Sequence, residues 1–471
     1  MIHFAPITLE TKELFRQYAS MQIRNCDAAF ANIFCWQQTY HSLYAAAEGF
    51  LIVKYRTEGR RQAAYMLFTP EFTEDGMQRI VPLLEQDAAA EQNTLKITGL
   101  PACAAELLRS AFGPKFACAC NRDSADYIYN AADLRELPGR KYQSKRNHIN
   151  RFNDFYNWQY EPLTARHKEE CLQLENKWQS HHTDDESISA ERLAIIRAFD
   201  NFDALGLRGG ALRIDGRLAA FTYGSPINEE VFDVHAEKAD TSFDGIFPAI
   251  NRLFAQTIPQ HYKFVNREED MGLEGLRRSK MSYHPAQLES KFTALALDNS
   301  WQQIRELWMD AFGDTREFAD EFLVERSRYG ISTFAEREGE RVVSMLHSVP
   351  FTDSAGHTFA YIYGVATAPS HRRRGLATNL IRRVLNDVGR LYDAAILIPA
   401  DSEAKEFYRK AGFADTQTEL LFETEFDFGS GTPEGDKAMI FTAENIELTS
   451  PLRLYPHPQN EADEAAYLEP A

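Results

Sequence analysis

A chain of 471 residues, 44% hydrophobic and 25% charged, is too long for one ordinary core and has the composition of a globular protein of two or three units. Its formal charge of −18 leaves −6 before residue 291 (33 basic against 39 acidic residues) and −12 from residue 291 onward (18 against 30), which excludes a general nucleic-acid coat. No apolar run approaches the ~20 residues that span a bilayer, and the N-terminus lacks the basic start of a secretory signal, so the cytoplasm is the expected location.

Residues 1–139 read as α/β, with strands near "FLIVKY", "AAYMLFT" and "TLKITG". All six cysteines, Cys26, Cys35, Cys103, Cys118, Cys120 and Cys171, lie in the N-terminal part. Cys118 and Cys120 flank a single alanine, a spacing that suits one face of a strand better than a zinc knuckle. No histidine or cysteine pair completes four ligands at a familiar spacing, so reduced thiols and no metal are expected.

From 140 to 290, "LRGGALRIDGRLAAFTYGSP" signals a hairpin around Asp215-Gly216. "EVFDVHAEKA" is a third strand, "FPAINRLFAQTI" an amphipathic helix, and "YKFVNREEDMG" with "LEGLRRSKMSY" a strand and a helix. From about 292 the same order returns. "WQQIRELWMDAFG" is a helix closed by Gly313, "STFAEREGERVVSMLHSV" two strands, and "HTFAYIYGVATAP" a strand stopped by Pro369. A long helix follows Gly375, then the strand "AAILIPA", a helix across "SEAKEFYRKAGF" and a strand near "TELLFETEF". The tail after Glu444 is acidic and weakly patterned, although "LTSPLRLYP" suits packing on the body.

A run of arginines before a helix is most often plain surface. In "HRRRGLA" it coincides with a strand end, a glycine and the start of a long apolar-faced helix. A helix N-terminus presents unpaired N–H groups and partial positive charge. Gly375 permits close backbone approach and Ala377 keeps the first turn uncrowded, so the stretch suits a diphosphate with arginines at its rim. No GxxxxGK[ST] run accompanies it, which excludes an NTPase loop of that type.

Arg372-Arg373-Arg374-Gly375-Leu376-Ala377 resembles the acyl-CoA loop, [RQ]-x-x-G-x-[GA], of the GNAT acetyltransferase superfamily. "DSEAKEFYRKAGF" resembles the second signature of that superfamily, with Ala404, Tyr408, Gly412 and Phe413 matching and Asp401 standing where asparagine is usual. The resemblance covers about 292–430. It implies acetyl-CoA, or another acyl-CoA, as co-substrate, with its diphosphate held by N–H groups from Arg373 to Ala377. It also implies that the strand through Val365 lines the pantetheine arm and that Tyr408 protonates the departing thiolate. Asp401 puts one cofactor-side hydrogen bond in question. Tyr361, Tyr363 and Glu403 are open candidates for a base by sequence proximity alone.

Two dense stretches mark the first 290 residues. "GRKYQSKRNHINRF" gathers Arg140, Lys141, Lys145, Arg146 and Arg151 without an acid, and "NREEDMGLEGLRRSKMSYHP" sets Glu268, Glu269 and Asp270 ahead of Arg277, Arg278 and Lys280. A solvated helix face and a salt-bridged strand end are their ordinary readings. Together with "FPAINRLF" they resemble the C-terminal catalytic domain of bacterial phosphatidylglycerol lysyltransferases, over most of residues 1–290. That resemblance implies two fused GNAT-like lobes and transfer of an aminoacyl group from tRNA to a lipid headgroup. The lysyltransferases carry membrane helices ahead of this domain and this sequence does not, which makes a lipid acceptor less secure. "TSFDGIFPA" stands where the later unit has "HRRRGLA", so CoA is not the expected ligand of the front part. Glu269 and Asp270 are then expected to hold a donor amine, and Lys145, Arg146, Arg277 and Lys280 to meet a phosphate or carboxylate.

The expected fold is α/β (α+β), tandem GNAT-like units, each a mixed, mostly antiparallel sheet flanked by helices. A lysyltransferase-like module over 1–290, with lobes of about 1–139 and 140–290, precedes a GNAT domain over 291–471 with the acidic tail. The expected activity is acetyl transfer from acetyl-CoA to a small-molecule or peptide amine. The alternatives are aminoacyl-tRNA-dependent transfer to a lipid or small-molecule acceptor, and a front module that only recognises a phosphorylated ligand.

Overall fold

The computed structural model describes residues 2–19, 23–56, 62–179, 185–429, 437–442, 446 and 448–457; the end of the acidic tail, 458–471, lies outside them. The chain divides into two compact units, Met1–Gly113 with Cys120–Leu295, and Pro114–Ala119 with Ala296–Ala471. All six cysteines are free thiols. Among the described residues no helix is long and apolar enough to cross a membrane.

The first unit contains two mixed sheets. One runs in the order Ala5–Pro6, Leu43–Ala47, Phe50–Tyr55, Ala64–Phe68, Lys96–Leu100, Phe292–Ala296. Its neighbours are antiparallel except Ala64–Phe68 and Lys96–Leu100, which run parallel and are joined through the helix Glu74–Ala90. The other sheet runs Gln287–Glu289, Asp126–Asn130, Phe264–Asn266, Val231–Ala239, Arg217–Pro226, Arg208–Ile214, Trp158–Pro162. Its parallel pair, Val231–Ala239 with Phe264–Asn266, is bridged by the helix Ile246–Thr257. A parallel pair needs such a crossover, whereas hairpins suffice elsewhere. Asp126–Asn130 lies before the lobe border expected near 139 yet pairs in the second sheet, and Phe292–Ala296 returns to the first. One apolar cluster serves both sheets: Phe15, Phe30 and Phe34 share it with Phe199, Phe221 and Tyr223.

The second unit repeats the plan. Ser332–Glu338, Arg341–Thr352 and Thr358–Thr367 are antiparallel. Thr358–Thr367 then pairs in parallel with Ala394–Leu397 through the helix Leu376–Leu385. That helix buries Leu380, Ile381 and Val384, each worth about 1.5–3 kcal/mol on full burial. The strand Leu452–Pro456 pairs with both Arg341–Thr352 and Leu420–Phe422, so the stretch "LRLYP" does pack on the body. Beneath the sheet, Arg305 binds Asp320 at 2.7 Å, both buried, and Asp320 Oδ2 accepts the Cys118 N–H at 3.1 Å. The mixed, mostly antiparallel sheets flanked by helices are those expected from the sequence.

Candidate functional site

In the second unit the strand Thr358–Thr367 pairs with Ala394–Leu397 only over Phe359–Tyr361. Among the described residues its remaining positions have no partner on that side, so the two strands part toward the Thr367 end. A bulge opposite Met345–His347 sets Gly364 at φ +60°, where a Cβ would fall 2.8 Å from Trp308. Only glycine admits that ring without displacing it. Pro369–His371 forms a turn beyond the strand, Arg373 adopts φ +63°, and Gly375 at φ +81° caps the helix Leu376–Leu385.

The first helical hydrogen bond is donated by Asn379 to the Gly375 carbonyl at 3.0 Å. The N–H groups of Leu376, Ala377 and Thr378 are therefore left at an open helix end with no side-chain cap. Glu338 steadies this loop by taking His371 Nε2 at 2.8 Å and Arg374 Nη1 at 3.2 Å. Arg372 donates to the Thr367 carbonyl at 3.3 Å, and the Arg373 guanidinium has no partner among the described residues. The structure thus gathers Arg372 to Ala377 at the mouth of the strand opening.

Tyr408 lies on the helix Ser402–Lys410, which follows Ala394–Leu397, and packs on Phe407 and Phe413 in the cluster that also receives Val365. Burial pushes its phenol up, so it is a neutral donor at ordinary pH. Asp401 caps this helix by accepting the Ala404 N–H at 2.7 Å. Of the open base candidates, Tyr361 donates to the Phe428 carbonyl at 3.4 Å, burial raises both it and Tyr363, and Glu403 is exposed in the first turn of the Tyr408 helix.

Gly245 in the first unit is the counterpart of Gly375. It caps the helix Ile246–Thr257 at φ +82°, but a Cβ there would lie 2.6 Å from the His148 carbonyl oxygen. At Gly375 nothing lies within 4 Å of that position. The helix Gln143–Phe155, which carries His148, therefore closes in the first unit the approach that stays open in the second.

The first unit holds a different concentration of charge. Lys291 Nζ lies 3.0 Å from Asp126 Oδ1, 3.1 Å from Glu269 Oε2, 3.7 Å from Asp27 Oδ2 and 3.5 Å from Cys26 Sγ. Asp126 Oδ2 accepts the Cys26 N–H at 2.6 Å and Asn266 Nδ2 at 2.8 Å. Beside it His235 Nδ1 lies 3.3 Å from both Asp233 and Glu268, with Ser225 Oγ 2.8 Å from its Nε2. The two cations are buried, whereas Asp27, Glu268 and Glu269 keep 30%, 24% and 31% of their side chains accessible. The open faces of this acidic recess are therefore carboxylates. Burial raises Asp126 and, with the neighbouring Asp233, Glu268. At Glu269 burial acts the same way but Lys291 overrides it and holds the carboxyl low. Burial lowers His235, yet Asp233 and Glu268 carry it up to about 9.

Glu268 itself sits at φ +56°, a strained setting for a residue with a side chain. Lys280 pins the segment by donating to the carbonyls of Arg267 at 2.6 Å, Glu268 at 3.2 Å and Glu269. Asp270 is engaged internally by Arg277 at 2.9 Å, Tyr127 at 2.5 Å and the Gly272 N–H at 3.0 Å; burial would raise it, but Arg277 and these donors bring it to about 2. Arg277 also binds Asp123, and Arg146 donates to the carbonyls of Gly139 at 2.8 Å and Leu137. Glu269 keeps an accessible face toward the recess. Asp270, Arg146, Arg277 and Lys280 have partners within the chain instead. Lys145 makes no ion pair among the described residues: its ammonium lies 4.1 Å over the Tyr283 ring, and burial together with nearby Arg267 outweighs the Glu237 carboxylate and brings it down to about 8. Cys26, Asp27, Asp126, Asp233, His235 and Lys291 belong to the recess and stand outside the two dense stretches. The one local signal was the alternation of Asp233, His235 and Glu237 with apolar residues along the strand Val231–Ala239.

Three sheets of one plan, one of them with an open helix end beside a parted parallel pair, make up a tandem GNAT-like fold. The family model described as phosphatidylglycerol lysyltransferase, C-terminal, matches residues 18–295, and the chain belongs to that family. The acetyltransferase (GNAT) domain model matches residues 294–415. Both resemblances read from the sequence hold. A conserved protein of unknown function from Bacteroides thetaiotaomicron, known from a crystal structure, is 39% identical with a TM-score of 0.60, over 63% of this chain and 100% of that one. The structure of L-PGS from Bacillus licheniformis is 14% identical with a TM-score of 0.45, over 62% and 92%. An uncharacterised protein of Mycoplasmoides gallisepticum is 26% identical over 174 residues, 35% of this chain and 54% of that protein. The chain spans about half the length of that curated relative.

Proposed function

We propose that the second unit is an acyl-CoA-dependent N-acetyltransferase, in a chain built as a lysyltransferase-like module over about 1–290 and a GNAT domain from 291. The observation that carries this reading is the open helix end at Gly375, in contrast to its closed counterpart at Gly245. The residues present suit a CoA diphosphate: three N–H groups and an Arg373 guanidinium without partners among the described residues, and space at Gly375. Acetyl-CoA would supply an acyl group activated as a thioester. Leu376, Ala377 and Thr378 N–H groups and Arg373 bind its phosphates, and Arg372 and Arg374 add charge at the rim. Val365, on the unpaired part of its strand, lines the pantetheine path. A neutral amine held there attacks the carbonyl, the Tyr408 hydroxyl gives its proton to the sulfur as the C–S bond breaks, and the proton that the nitrogen sheds on becoming an amide passes to water, from which the Tyr408 phenolate is reprotonated. The cytoplasm suits this co-substrate.

Calorimetric titration of the full chain with acetyl-CoA tests the reading. One site per chain is expected, and Gly375→Glu should abolish it by placing a carboxylate in the cradle. Absence of binding, or binding that the substitution leaves intact, contradicts it.

A second reading is favoured by the acidic recess. We infer that the first unit takes an aminoacyl donor whose ammonium rests on Glu269 and Asp27, while Lys145 meets a phosphate or carboxylate of the donor or acceptor. Label transfer from charged tRNA to an added acceptor, reduced by Lys145→Ala, is the expected outcome. Ligand binding without any transfer would make this unit a recognition module.

A further inference from the structure

Asp233 and His235 are two residues apart on the strand Val231–Ala239, so their side chains leave the same face. Glu268, after the strand Phe264–Asn266, reaches that face from the neighbouring parallel strand. His235 Nδ1 stands 3.3 Å from Asp233 Oδ2 and 3.3 Å from Glu268 Oε1, and all three ligand atoms lie within 4.8 Å of one another. Ligand atoms bonded to one tetrahedral or octahedral ion at about 2.0–2.2 Å are separated by roughly 3.0–3.5 Å. Ser225 Oγ, 2.8 Å from Nε2, fixes the ring and leaves Nδ1 facing the carboxylates, as an outer hydrogen bond does for a metal-bound histidine.

A second, independent feature is Asp233 itself. Its side chain is wholly buried, yet neither carboxylate oxygen accepts a hydrogen bond from a described residue. Such a group calls for a cation. Among the described residues the only cation beside it is the His235 ring, which must serve Glu268 as well. The neighbouring trio Cys26, Asp126 and Glu269 differs, because the Lys291 ammonium already lies within 3.5 Å of all three.

We propose that Asp233, His235 and Glu268 form a binding site for a divalent first-row transition-metal ion. One imidazole with two carboxylates suits manganese, iron or zinc. Three protein ligands leave positions open on the ion, and the accessible side of Glu268 is the way in. The proposal stands apart from the acyl-transfer readings, since it uses neither the Gly375 cradle nor Glu269 and Asp27.

The test is titration of the full chain, stripped with a chelator, with manganese(II) followed by electron paramagnetic resonance. The expected result is one bound equivalent showing nitrogen modulation from an imidazole, displaced by zinc(II). His235→Gln should lose the nitrogen signal, and Asp233→Asn should bind at least 10-fold more weakly, with circular dichroism confirming that each variant is folded. If Asp233→Asn does not fold, His235→Gln alone decides. Failure of both ions to saturate one site, or a site unchanged in the folded variants, overturns the proposal.

Discussion

Gly245 and Gly375 cap their helices at nearly the same angle, φ +82° and +81°, but only Gly245 is covered, by the His148 carbonyl oxygen 2.6 Å from its absent Cβ. The two positions therefore respond differently to the same substitution. Either change to alanine incurs the left-handed cost of about 1–2 kcal/mol. Gly245→Ala must also push back a backbone oxygen, so it should lower the urea midpoint clearly more than Gly375→Ala. Equal losses would mean that the closure at Gly245 is not tight.

Lys291 is the hub of the acidic recess, with Asp126 and Glu269 both at about hydrogen-bonding distance. Lys291→Met removes one charge and strands two carboxylates. The expected cost is about 3–5 kcal/mol, read as a lower urea midpoint at unchanged slope. Adding Asp126→Asn to that variant should recover part of the loss, because one stranded charge goes.

His347 supplies a pH test. It is fully buried between Trp308 and Phe322, with Thr333 Oγ1 2.8 Å from its Nδ1, and burial followed by repulsion from Arg326 brings it down to about 3. The unfolded histidine takes up a proton near pH 6.5 and the folded one does not, so stability present above pH 6.5 is lost progressively between 6.5 and 3. The loss is on the order of 5 kcal/mol across that window. His347→Gln should flatten this part of the pH–stability curve relative to wild type; an unchanged slope would show that the ring is protonated in the folded protein.

Tyr408→Phe separates acid catalysis from packing. The ring contacts with Phe407 and Phe413 do not need the hydroxyl, so acetyl-CoA affinity and thermal stability should hold while acyl transfer falls by about 100-fold or more. Single-turnover thiol release is the measurement. A rate equal to wild type would assign proton delivery elsewhere.

The cradle was legible because its parts are contiguous: a strand end, Gly375 and a helix start are neighbours in sequence and remain so in space. The repeated order of strands, crossover helix and parallel strand was legible for the same reason, since each connection is local. The acidic recess is the opposite case. Cys26, Asp126, His235, Glu268 and Lys291 come from points spread along the whole first unit, and each alone looks like an ordinary polar residue. Dense charge also misled in part. Asp270 read as a holder of a donor amine and Arg277 as a group meeting a phosphate or carboxylate, but one helical turn after Gly272 brings the two together. Lys280 likewise spends its three donors on backbone carbonyls, which no pattern of side chains reveals.

The central claim is that the open helix end at Gly375 receives the diphosphate of acyl-CoA, and a crystal soaked with acetyl-CoA tests it most directly. The predicted result is phosphate density against the N–H groups of Leu376, Ala377 and Thr378, with the thioester in the opening beside Val365 and Tyr408. Density for the nucleotide at any other place, or a cradle left empty at saturating acetyl-CoA, would contradict the account.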